Sequence, residues 1–85
     1  MIPAPRVNIN GTSKEELIKQ YDACLNALGQ VVNAMRLATP HGRDYQTMED
    51  GAYSNAVGEW GTRIRTISKL ADEIEQLQLD VFNQE

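Results

Sequence analysis

Thr39-Pro40-His41-Gly42-Arg43-Asp44-Tyr45 separates two long helical patterns, and reading it as a break rather than as more helix decides the fold. Proline removes an amide donor and pushes the residue before it out of the helical region. Pro40 followed by Gly42 is therefore a helix stop. The same few positions hold the only histidine of the chain, with an arginine, an aspartate and a tyrosine. Loops on a rigid scaffold are where small proteins tend to carry their chemistry.

Upstream of this break, Ser13 with Glu16 three residues later has the form of a capping box. Lys14 to Ala38 then continues without proline. Leu17, Tyr21, Cys24, Leu28, Val31, Met35 and Ala38 recur at steps of four and three, a helical stripe with a period near 3.5. Ile18, Leu25 and Val32 form a second apolar track beside it. A stripe this wide exceeds a two-helix seam and predicts contact with more than one neighbour.

Downstream, Tyr53, Val57, Trp60, Ile64, Ile67, Ala71, Ile74 and Val81 keep the same rhythm, with Gln78 the exception. Leu70 and Leu77 flank the stripe. Gly58 and Gly61 bracket Trp60 and each costs a helix about 1 kcal/mol relative to Ala. They either permit close helix approach or split the helix, and periodicity does not choose between the two. Glu59 with Arg63, and Lys69 with Glu73, have the four-residue spacing of surface ion pairs.

These patterns predict an all-α protein. It has an extended arm over residues 1–12, a helix over 14–38, a loop over 39–50 and a second helix over 51–82. At about 1.5 Å per residue, helices of roughly 25 and 30 residues extend about 37 and 45 Å. The expected architecture is an antiparallel helical hairpin that assembles into a homo-oligomeric bundle, because two helices alone leave part of each stripe exposed. Pro3 and Pro5 disfavour helix in the arm; Val7 and Ile9 would suit it to a contact with a neighbouring subunit, and the sequence leaves open whether the arm is ordered or reaches across.

At 85 residues the chain makes one domain with a limited core. The single cysteine, Cys24, excludes an internal disulfide, and one Cys with one His offers too few ligands for a structural metal. No cofactor is expected. The start lacks the apolar segment of a secretory signal, and no run of about 18 apolar residues exists to span a membrane. A cytoplasmic setting is therefore expected.

The net charge of −4 is uneven. Residues 1–48 carry five basic and four acidic side chains, whereas residues 49–85 carry three basic and eight acidic ones. Asp72 to Glu85 holds five carboxylates and no Lys or Arg. That opposes general binding to a nucleic-acid backbone, which requires a basic face.

The loop offers the best candidate site. Arg43 presents a planar fork to phosphate or carboxylate, and Arg36 lies about one turn before the helix end. His41 donates or accepts near neutral pH, Tyr45 offers a stacking face, and Gly42 admits close approach of backbone amides. Tyr21, a stripe residue, becomes a candidate if a subunit interface brings it to a ligand. The plainer reading is that Pro40 and Gly42 only stop the helix, Asp44 caps or pairs with Arg43, and Tyr45 plugs the hairpin end. A catalytic role finds little support: His41 beside Asp44 lacks a nucleophile, and Cys24 has the setting of a small core residue.

Asn8-Ile9-Asn10-Gly11-Thr12-Ser13 and Pro40-His41-Gly42-Arg43-Asp44-Tyr45 resemble segments of a family of small helical proteins from bacteriophages and prophages. That resemblance implies size and layout and no particular activity. In architecture the chain also loosely resembles phage anti-defence sponges, small homo-oligomers that hold cyclic-nucleotide signals between subunits with arginines and aromatic residues. The second resemblance implies a non-catalytic protein binding a cyclic nucleotide or ADP-ribose derivative at a subunit interface. Arg36, His41, Gly42, Arg43, Asp44, Tyr45 and Tyr21 are its ligand-binding candidates. The competing expectation is a module that binds and inhibits a host protein, or a small structural phage part.

Overall fold

A computed structural model describes residues 1–85. The chain is all-helical. Helix α1 spans Lys14–Leu37, a four-residue 3-10 turn spans Gly42–Tyr45, and helix α2 spans Ala52–Phe82. The helices lie along one another as a hairpin 62 Å long and 20 × 17 Å across. Gly58 and Gly61 lie inside a continuous α2, so neither splits it.

The helix ends are fixed by named groups. Ser13 Oγ accepts from the Glu16 amide at 3.2 Å, which is one half of the expected capping box. At the other end of α1 the last carbonyls lack partners within the helix. The Trp60 indole Nε1 donates to the Met35 carbonyl at 2.7 Å, and the Thr39 hydroxyl donates to that of Arg36 at 2.8 Å. Trp60 thus ties the start of α2 to the end of α1. Gly51, at φ 90°, turns the chain into α2 in the left-handed region that glycine enters at least cost.

The seam departs from the expected stripe. The α1 residues turned toward α2 are Ile18, Tyr21, Leu25, Leu28, Val32 and Met35, all partly shielded, while Cys24, Val31 and Ala38 are exposed. Both apolar tracks had the right period. The seam falls between them, taking Tyr21, Leu28 and Met35 from the first stripe and Ile18, Leu25 and Val32 from the second track, the larger side chains that fill the space between helices. On α2, Trp60, Ile64, Ile67, Ala71, Ile74 and Val81 follow the expected stripe, but Tyr53 and Val57 are exposed at the loop end. Gln78 sits where that stripe is interrupted. Its Nε2 donates to the Ile18 carbonyl at 3.1 Å and to Asp22 Oδ1 at 2.7 Å. A polar group so tied fixes the helix register, since a slip would leave its donors unmatched.

The arm folds onto its own chain. The Gln84 side-chain amide donates to the Pro5 carbonyl at 2.7 Å and accepts from the Val7 amide at 2.9 Å. Lys14 Nζ donates to the Gln84 carbonyl and lies 5.6 Å from the centre of the Phe82 ring. These contacts close the open end of the hairpin, where Leu77 and Val81 are the only fully buried residues.

So small a core is the limiting fact of the fold. The chain exposes 6545 Å². A compact protein of 9.5 kDa exposes about 5,000 Å². Leu77→Ala is expected to cost roughly 2–4 kcal/mol in chemical denaturation, while Val57→Ala, at a site already 37% exposed, costs less than about 1 kcal/mol. Equal costs at the two sites contradict this placement of the core.

Candidate functional site at the loop end

The loop is ordered by its own side chains. His41 stands at the N-terminus of the 3-10 turn, and its Nδ1 accepts from the Arg43 amide at 3.1 Å. A neutral His41 in this arrangement carries its proton on Nε2, where it remains a donor. The Asp44 amide bonds back to the His41 carbonyl. Tyr45 packs against Tyr53 on α2, with ring centres 6.0 Å apart and planes inclined by 46°.

Arg36 and Arg43 are exposed, and neither guanidinium has a hydrogen-bond or ion-pair partner. The only ion pair of the chain joins Arg63 to Glu59 at 3.0 Å, as their spacing predicts. Lys69 and Glu73 do not close to ion-pair distance. Asp44 does not pair with Arg43 either, so the loop end retains two uncommitted arginines beside an aromatic pair.

An open groove of about 530 Å³ runs beside the loop, lined by Thr39, Pro40, Asp44, Tyr45, Met48 and Trp60 among others. Of the candidate residues only Asp44 and Tyr45 line it. Arg36, His41 and Arg43 lie outside the groove. Gly42 faces the protein: a methyl group there would meet the Tyr53 ring at 3.8 Å, an ordinary contact. It is not a bare backbone kept open for a ligand.

Tyr21 belongs to the seam and lies fifteen residues before Arg36, roughly 22 Å away along α1. One chain does not bring it to the loop. Cys24 and His41 are likewise separated by most of a helix and form no nucleophile–base pair. No group of three or more His, Cys, Asp and Glu residues is arranged to hold a metal ion, and no helix is long and apolar enough to cross a membrane.

A second groove, of about 410 Å³, lies along one side of the hairpin between Leu25, Gly29, Val32 and Asn33 of α1 and Ser68, Asp72 and Glu75 of α2. The sequence reading missed it. The only signal for it was Gly29, whose missing side chain leaves open space beside the seam.

Comparison with protein-family models, curated proteins and solved structures gave no match. His41→Ala removes the acceptor for the Arg43 amide and is expected to loosen the 3-10 turn at a cost of about 1 kcal/mol. Amide exchange checks this: the Arg43 N–H exchanges faster in the variant, while α1 and α2 keep their protection.

Proposed function

We propose that this chain acts by binding, as a self-associating helical hairpin whose loop end captures a small phosphorylated ligand without turning it over. Arg36 and Arg43 meet phosphate, Tyr45 stacks on a base or ribose, and His41 donates from Nε2. The ligand class is a cyclic nucleotide or an ADP-ribose derivative, and the biological role is phage anti-defence by sequestration of such a signal in the host cytoplasm. The observation that carries this reading is the pair of unpartnered guanidiniums at the same end as the Tyr45–Tyr53 pair. Free planar forks form short, charge-assisted bonds to phosphate that suit tight retention. Tyr21 enters the site only if another copy supplies it.

A different observation favours a second reading. The groove beside the loop is lined by Asp44, with no arginine or lysine in its walls, and repels an anion placed deep within it. Exposed apolar residues such as Leu37, Met48 and Leu70 suit a protein partner instead. On that reading the chain is a docking module that inhibits a host protein or forms a small part of a virion.

Native mass spectrometry with a panel of cyclic nucleotides and ADP-ribose derivatives separates the two. Retention of an unmodified nucleotide by wild type is expected, with a loss of at least about tenfold in affinity for Arg43→Ala at unchanged helix content. If Arg43→Ala binds as well as wild type, the site assignment is wrong. If no nucleotide binds at all, the docking reading takes its place.

A further inference from the structure

We infer that the acidic, grooved flank of the hairpin takes a third helix, a cationic amphipathic segment of another protein. This surface lies along the side of the molecule and does not depend on the loop end holding a phosphorylated ligand.

Helix periodicity joins two grooves into one. The groove of about 410 Å³ and a smaller one of about 230 Å³ share a side of the seam. On α1 their walls include Ile18, Asp22, Leu25, Gly29 and Val32, at steps of four, three, four and three. On α2 they include Ser68, Asp72, Glu75, Leu79 and Phe82, at the same steps. Each set is one ridge along its helix. Ile18 and Asp22 share one stretch with Leu79 and Phe82, and Gly29 shares the other with Ser68 and Asp72. The ridges extend about 22 Å, the length of a four-turn helix. Ridges at this spacing receive the i, i+3, i+4 and i+7 side chains of a helix laid between them.

Gly29 distinguishes this groove from an ordinary solvent face. Glycine in a helix interior costs stability relative to alanine. A Cβ at Gly29 would meet nothing within 4 Å, so no contact within the chain requires the glycine. Its bare backbone opens the groove to close approach by an incoming helix. Toward the other end, Leu79 at 49% and Phe82 at 61% exposure leave apolar area uncovered.

Charge identifies the occupant. Asp22, Asp72 and Glu75 line the grooves themselves, and no lysine or arginine lines either. Asp72 and Glu75 take part in no ion pair. Asp22 accepts from the neutral amide of Gln78 at 2.7 Å. Three carboxylates beside an apolar floor of Leu25, Val32 and Ala71 match a helix whose apolar stripe is flanked by Lys or Arg. The stripe fills the floor, the aliphatic stems lie along it, and the charged ends reach the carboxylates. The same carboxylates repel an acidic segment. A second copy offers no such helix: its basic run of Arg63, Arg65 and Lys69 has Ile64 and Ile67 as apolar neighbours, and both are taken up in the seam.

A displayed library of helices tests this. Peptides of about 16 residues carry a fixed Leu and Ala stripe, with flanking positions free to be Lys, Glu or Gln. Binders selected on the wild-type chain are expected to favour Lys over Glu on the flanks by at least about tenfold, and to lose at least about tenfold in affinity for Asp72→Lys/Glu75→Lys. They are expected to hold Glu49→Lys/Asp50→Lys, an equal change of charge away from the groove, as tightly as wild type. Gly29→Gln is expected to weaken them by a similar factor while the hairpin stays folded, because open space surrounds that position. Failure to select any binder, or selection without a preference for Lys, overturns the cationic helix. Binders indifferent to Gly29→Gln, or weakened equally by the two double variants, overturn the groove. Loss of wild-type self-association in Asp72→Lys/Glu75→Lys makes a second copy the occupant and overturns the foreign partner. None of these substitutions alters Arg36 or Arg43, so nucleotide retention by the same variants reports on the loop end separately.

Discussion

One seam between two helices must hold this molecule together, and everything else in the structure compensates for how little that seam buries. Long helices are marginal in water on propensity alone and draw stability from the face they bury. Here each helix has one neighbour, and full burial is reached only at Leu77 and Val81. The devices at the ends follow from that shortage. Trp60 holds the Met35 carbonyl where α1 stops, Gln78 locks register against Ile18 and Asp22, and Gln84 fastens the arm across the open end. Each ties together residues far apart in sequence, so each opposes sliding or fraying that a smooth apolar seam would permit.

The same shortage links fold to function. A hairpin that buries its surface on one seam leaves two sides and both ends free. One side is acidic and grooved, and the α1 flank away from it exposes small uncharged residues such as Cys24, Ala27 and Ala34. The loop end is different again, with two uncommitted arginines and a tyrosine pair. This separation of surfaces allows one face for assembly and another for a ligand or partner without either competing with the core.

Most of the fold was legible in the sequence because helix signals are local. The Ser13 cap, the Pro40–Gly42 stop and the four-three rhythm placed both helices to within a residue of where they lie. The choice of seam was not legible. The Cys24–Val31 track and the Leu25–Val32 track share one period, and only packing volume against α2 separates them. The path of the arm was not legible either: Val7 and Ile9 left a contact with a neighbour open, and it is Gln84, nearly eighty residues away, that takes the Val7 amide within the same chain. The site was legible only in part. His41 and Tyr45 are adjacent to their neighbours in sequence, but whether Arg36 and Asp44 share a pocket depends on the path of a loop that carries no periodic signal. The structure separates them, with Asp44 on the groove wall and Arg36 outside it.

The central proposal is that the single hairpin is incomplete and gains stability by associating with further copies. Thermal unfolding followed by circular dichroism over a hundredfold range of protein concentration tests this directly. Coupled folding predicts a melting temperature that rises steadily with concentration, as mass action requires when the associated state alone is the stable one. A cooperative transition at one temperature across the whole range would show a monomer that stands on its own seam, and would contradict the account.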